Sequence, residues 1–226
     1  MVKVRIQEPA EEAPSGMEEI IVIGGGGHAR VVISILRKLN KYNIRGYTDP
    51  QNRGTLSGVR YLGTDNEIPE LPAESKVRNA VIAVGQTGSG KLRHDIWSRL
   101  DSLQLSIPNI ISPNAIINDD VAIGDGVVVM DGAIINPGTK LGVGVIANTH
   151  STIEHDVSLA DWVHIAPGAT ILGGVTVGRF SMIGAGATVI EGRNIPAETI
   201  IGAGATVVHD LIEPGIYIGT PARRLK

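Results

Sequence analysis

Cysteine is absent from the 226 residues, which excludes disulfides, thiolate nucleophiles and cysteine-based metal sites. Aromatic residues make up only 3% of the chain, so the 42% hydrophobic content must build its core from aliphatic side chains. The net charge is −3 and no basic stripe occurs, so nucleic acid and anionic membrane surfaces are not expected partners. No apolar run is long enough to span a bilayer, so no membrane insertion is expected. Residues 1–16 are acidic and contain proline, unlike the basic-then-apolar start of a secretory signal. They read as a tail, Met17 offers an alternative natural start, and the cytoplasm is the expected location.

What the chain does have is a period of six. Reading every sixth residue from Ile117 to Val207 returns Ile, Leu or Val each time except at Ala147. Two residues before each stands mostly a small or β-branched side chain, from Ala115 and Val121 through to Ala205. Glycine often follows the aliphatic residue, as at Gly124, Gly142, Gly178, Gly184 and Gly202. A hexapeptide period held this long predicts a parallel β-helix. Each hexad supplies a short strand and a corner, and three hexads close a triangular coil of about 18 residues. The aliphatic residue faces inward and stacks on its counterpart at the strand spacing of about 4.8 Å. Glycine after it is read as tolerating the corner dihedrals. The repeat accounts for a little over five coils.

Upstream the pattern changes. Glu18–Ile23 reads as a buried strand, Gly24–Gly27 as a turn, and Ala29–Leu39 as a helix with Val32, Ile35, Leu36 and Leu39 on one face. Ile44–Tyr47 and Ala80–Val84 read as further strands, Asp65–Glu70 as a short helix and Leu92–Leu103 as an amphipathic helix. This alternation predicts a small Rossmann-like α/β domain over residues 17–107. The β-helix domain then occupies 108–226, with Pro108–Pro113 as a hinge and an irregular loop after Val207.

The glycine run between strand and helix can cradle a phosphate on its backbone N–H groups, and Thr48-Asp49 ends the second strand where a base or ribose is read. Its spacing is not the dinucleotide fingerprint G-x-G-x-x-G. Residues 85–91, GQTGSGK, imitate a P-loop, but Leu92 stands where a Mg²⁺-binding hydroxyl is needed. They read instead as a loop at the carboxyl edge of the sheet. Of the six histidines, His150, His155 and His164 cluster in successive hexads. They occupy different hexad phases and lack ligand spacing, so no metal is expected. Glu154-His155-Asp156 places an accessible imidazole beside carboxylates, as a general base requires. Gly173-Gly174 follow one coil later at the same corner, where a bare amide could serve as an oxyanion donor.

The repeat, I-V-I-G-G-G-G-H at Ile21–His28, A-V-G-Q at Ala83–Gln86, N-T-x-S-x-I-E-H-D at Asn148–Asp156, V-H-I-A-P-G-A at Val163–Ala169 and I-G-T-P-A-R at Ile218–Arg223 together resemble the hexapeptide-repeat acyltransferases of the NeuD/PglD kind. These comprise sialic acid O-acetyltransferases and nucleotide-sugar N-acetyltransferases. The resemblance implies a left-handed β-helix, against the usual right-handed crossover, and a homotrimer with coenzyme A between neighbouring helices. It implies direct acetyl transfer from acetyl-CoA to a UDP- or GDP-linked deoxyamino sugar, with His155 as base and Asp156 orienting it. The Gly173 amide would polarise the thioester. Gly24, Gly26, Gly27, His28, Asp49, Gly85 and Asn148 would hold the acceptor. His164, Gly202, Ala203, Pro221, Arg223 and Arg224 would line the coenzyme. Sialic acid O-acetylation and a metal-dependent enzyme of the gamma carbonic anhydrase type are the alternatives.

Overall fold

A computed structural model of the chain describes residues 16–70 and 77–225. Apart from Gly16, the tail expected over 1–16 lies outside the described residues. The chain divides into two compact units. One holds the chain up to Gly85 together with Leu100–Ile107; the other holds Gln86–Arg99 and everything from Pro108 onward.

The first unit is α/β. Strands β1 (Glu18–Ile23), β2 (Tyr42–Thr48) and β3 (Asn79–Ile82) form a parallel sheet in the order β2-β1-β3. Helix α1 (Gly27–Leu39) buries Val32, Ile33, Ile35 and Leu36, and the run Ile20–Ile23 is buried beneath it. A strand buried on both faces needs such an unbroken apolar run. Helix α1 starts two residues earlier than its apolar periodicity indicates, and Asn40, in the left-handed region at φ 49°, ends it. Tyr47 N–H donates to Arg60 O and Leu62 N–H to Tyr47 O, which lays the Arg60–Leu62 segment along β2. The short helix at Asp65–Glu70 forms as a 3₁₀ turn.

The second unit is a three-faced parallel β-solenoid accompanied by most of helix α2 (Lys91–Ser102). Two-residue strands recur every six residues from β4 (Ile110–Ile111) to β20 (Thr206–Val207). One face stacks the strands beginning at Ile110, Val128, Ile146, His164, Met182 and Ile200. The second stacks those at Ile116, Ile134, Thr152, Thr170, Thr188 and Thr206, and the third those at Ala122, Lys140, Ser158, Thr176 and Asn194. The second residue of each strand faces a core in which Ile135, Ile153, Ile165, Ile171, Ile183 and Val189 are fully buried.

Three expectations are corrected. The presumed hinge at Pro108–Pro113 contains the first rung, because Ile110 and Ile111 already pair with Val128 and Val129. The tail after Val207 is only partly irregular. Strand β21 (Ile216–Ile218) pairs in parallel with Ile200–Ile201, and β22 (Arg223–Arg224) pairs antiparallel with β21. Tyr217 and Ala222 thereby join the core as its end cap.

The glycines after the aliphatic residues do not supply the corner dihedrals. The left-handed residue comes two positions further on, at every sixth residue from Asp120 to Gly204. Gly142, Gly178 and Gly184 are needed for another reason: a Cβ there would lie 2.3–2.5 Å from an atom one coil up, Asp161 Oδ1, Ala197 N and Ile201 O respectively.

Candidate active site

The corner after Ile153 brings together the first cluster. Ile153 is fully buried, and the Glu154 N–H donates to Ile171 O on the next coil. Asp156 occupies the left-handed position at φ 59°, a conformation that Asp and Asn adopt more readily than most residues. Its carboxylate Oδ2 lies 2.9 Å from His155 Nδ1. With Nδ1–H donated to the carboxylate, Nε2 keeps its lone pair. The imidazole is 64% exposed, so that lone pair is accessible.

The hydrogen bond donated to Asp156 holds the His155 pKa above the usual histidine value. Slight desolvation opposes the shift, and the charges of Asp156, Glu154 and Glu191 add to it.

Gly173 sits one coil above. A Cβ there would lie 2.6 Å from both Cε1 and Nε2 of His155, so the ring lies against bare backbone that only glycine allows. Leu172 N–H donates to Val189 O and Gly174 N–H to His155 O. Among the described residues, no acceptor takes the Gly173 N–H. The result is a base with an open nitrogen beside an uncommitted amide donor, the pairing that acyl transfer uses.

A second cluster joins Asn148 and His164. His164 is 4% exposed. Its Nε2 lies 3.0 Å from Asn148 Nδ2 and its Nδ1 3.1 Å from the Gln86 carbonyl oxygen. Gln86 is itself buried, and its Nε2 donates to Gly88 O and Ser181 O. Arg93 is also buried. Its guanidinium donates to Gly144 O and lies 5.6 Å from the Trp162 ring centroid, and burial pushes its pKa down to about 9. Neither Gln86 nor Arg93 received a role from sequence reasoning. Gln86 stood in a quoted motif, while Arg93 carried no signal.

The top of the solenoid holds Gly202, half-buried, and Ala203, exposed. A Cβ on Gly202 would lie 2.8 Å from Ile218 Cγ2. Pro221, Arg223 and Arg224 are exposed nearby on the closing hairpin. Arg224 pairs with Glu213, and the Arg223 guanidinium donates to the neighbouring Ala222 carbonyl.

In the first unit the four glycines divide into two pairs. A Cβ on Gly24 would lie 2.9 Å from Ala83 O, and one on Gly25 2.7 Å from Tyr47 Cε2. Gly26 and Gly27 face open space at the start of α1, where uncommitted N–H groups and the helix dipole favour an anion. Asp49 clamps the loop: Oδ2 accepts the Gly25 N–H at 2.8 Å, and Oδ1 accepts the Gln51 N–H at 2.9 Å. Burial pushes its pKa up, but those bonds and Arg53 outweigh it and hold the carboxyl below the ordinary range. Gly85 approaches the His28 side chain, its Cβ position 3.4 Å from His28 Cβ.

The three histidines of the repeat do not converge. His150 packs over Gly132, His155 lies beneath Gly173, and His164 meets the Gln86 carbonyl. Among the described residues no group of three or more His, Asp or Glu could hold a metal ion.

Residues 19–100 match the family model described as the PglD N-terminal domain. Across nearly the whole chain, the fold matches the acetyltransferase domain of PglB from Neisseria gonorrhoeae FA1090 in complex with acetyl coenzyme A. The TM-score is 0.86 at 33% identity, covering 93% of this chain and 100% of that one. The chain belongs to the PglD/NeuD-type family of hexapeptide acetyltransferases.

Within this family, PerB from Caulobacter crescentus, solved with CoA and GDP-perosamine, is 34% identical with a TM-score of 0.86, covering 96% of this chain and 100% of that one. A GDP-perosamine N-acetyltransferase of Escherichia coli O157:H7 is 30% identical over 153 residues, 65% of this chain. Over that match the chain spans 66% of that relative's length, just under two thirds.

Proposed function

We propose that this PglD/NeuD-type protein transfers acetyl from acetyl-CoA to the amino group of a nucleotide-linked deoxyamino sugar, with GDP-linked acceptors ahead of UDP-linked ones. The observation that carries the reading is His155, tied at Nδ1 to Asp156 and lying against the bare backbone of Gly173. The preference for GDP is supported by the two relatives that act on or bind GDP-perosamine.

In this mechanism the acceptor amine attacks the thioester carbonyl while His155 Nε2 takes its proton. The Gly173 N–H donates to the oxygen as it becomes an oxyanion. The C–N bond forms, the C–S bond breaks, and the imidazolium returns the proton to the departing thiolate. No covalent enzyme intermediate is needed. Asn148 borders the acceptor sugar, and the N-terminal amides of Gly26 and Gly27 serve the diphosphate. Gly202, Ala203, Pro221 and Arg223 follow the coenzyme arm. The protein works in the cytoplasm, which supplies acetyl-CoA, as a homotrimer. Among the described residues no helix is long and apolar enough to cross a membrane.

Thiol release from acetyl-CoA, measured against GDP- and UDP-linked 4-amino sugars and free sialic acid, tests the reading. Turnover on a GDP-linked amino sugar is expected, with kcat falling about 10²–10⁴-fold in His155→Ala. Turnover confined to sialic acid would move the enzyme to O-acetylation. Undiminished turnover in the variant would remove His155 from the chemistry.

A further inference from the structure

We infer that His164 is a positioning residue that acts through Asn148 rather than on a substrate, and that the Gln86 carbonyl is its anchor. The inference rests on the reading above, in which Asn148 borders the acceptor. His164 is the outward-facing member of its strand, since Ile165 faces the core. It is nevertheless buried, with Gln86 O at 3.1 Å and Asn148 Nδ2 at 3.0 Å from its two ring nitrogens.

A carbonyl oxygen only accepts, so Nδ1 carries the proton. In a neutral imidazole Nε2 then holds a lone pair, the one partner that suits an amide NH₂. The Asn148 amide is oriented independently from its other end, because its Oδ1 accepts the Thr149 N–H at 2.8 Å. Two anchors therefore decide which way round the carboxamide stands. What they leave unspent is one Nδ2 proton and one Oδ1 lone pair.

The anchor is itself fastened. Gln86 Nε2 donates to Gly88 O at 2.8 Å and to Ser181 O at 3.4 Å. The same Ser181 carbonyl receives the His164 backbone N–H at 3.0 Å. The Gln86–Gly88 turn and the His164 strand are thus held to one point. A carboxamide fixed in this way offers an N–H to an oxygen that only needs to accept, such as a sugar ring oxygen or a hydroxyl lone pair. The Nδ2–H of Asn148 thus reads the oxygen-bearing part of the sugar, beside the amine that His155 deprotonates.

Two measurements test this. In the unmodified protein, ¹⁵N-resolved NMR of the imidazoles should find His164 protonated at Nδ1 and bare at Nε2. The opposite tautomer overturns the inference whether or not the acceptor has been identified. In a double-mutant cycle read by kcat/KM, His164→Ala and Asn148→Ala should each cost up to about 10²-fold, the scale of a misplaced contact. The double variant should then be no worse than Asn148→Ala alone. Additive losses would show that His164 reaches a substrate by its own route and would overturn the inference. If no acetyl transfer to any amino sugar is found, the proposed function fails while the tautomer remains decided. If His164→Ala does not fold, the NMR result stands as the test.

Discussion

At the scale of single residues, the proposed chemistry depends on how Asp156 treats His155. Its hydrogen bond and charge favour the imidazolium and raise the pKa. A base must be neutral to accept a proton, so a raised pKa moves the acidic limb of the rate profile to higher pH. Asp156→Asn keeps the shape, removes the charge, and should move the acidic limb of kcat/KM to lower pH, toward the ordinary histidine range near about 6.5. The acceptor amine titrates identically in both proteins, so the difference between their pH profiles isolates His155. An unmoved limb would mean that another group sets it. The pairing of His155 with Gly173 was legible in the sequence because both lie in the repeat, a full coil apart. The Gln86–His164 contact was not, since it joins residues 78 positions apart that share no period.

At the scale of elements, the rungs explain which features of the repeat were readable. The inward residue must be aliphatic, so its phase shows through ninety residues. The left-handed position three residues later hides, because Asp120, His150, Asp156, Trp162, Phe180 and Glu198 fill it as well as glycine. Strand β21 hides for a different reason: Pro214, Gly215, Gly219 and Pro221 frame it with turn residues. The two kinds of solenoid glycine also predict different costs. Gly184 has Ile201 O at 2.5 Å and Ala203 N at 2.6 Å from its Cβ position, whereas Gly186 has a positive φ of 65° and open space. Gly184→Ala forces backbone apart and should cost about 1–3 kcal/mol. Gly186→Ala adds only left-handed strain, about 1–2 kcal/mol, and should stand at or below it. Urea unfolding of the two variants ranks them; a larger loss at Gly186 would mean that close approach does not require glycine at Gly184.

At the scale of the whole molecule, a β-solenoid has faces to cover and ends to close. The hairpin of β21 and β22 closes one end, with Tyr217 and Ala222 over the core; exposed strand edges otherwise invite pairing with other chains. The faces carry mostly small or β-branched outward residues, among them Thr152, Thr170 and Thr188, and Ile116, Ile216 and Ile218 stay exposed in the isolated chain. These features support the homotrimer proposed above. Sedimentation equilibrium should return three times the 23.7 kDa chain mass, and a monomer mass at micromolar concentration would reject it.

The offset of eighteen residues between His155 and Gly173 has a consequence for how this chain can change in length. Elsewhere a solenoid can gain or lose a whole hexad and keep every local rule, since each side repeats the last. Between Asp156 and Leu172 that freedom disappears. Six added residues would turn every later coil by one side of the triangle and carry Gly173 to another corner. Eighteen would restore the corner but set a different residue above the imidazole. On the proposed mechanism that stretch works as a gauge block, its length dictated by a bond-making step and not by the fold around it.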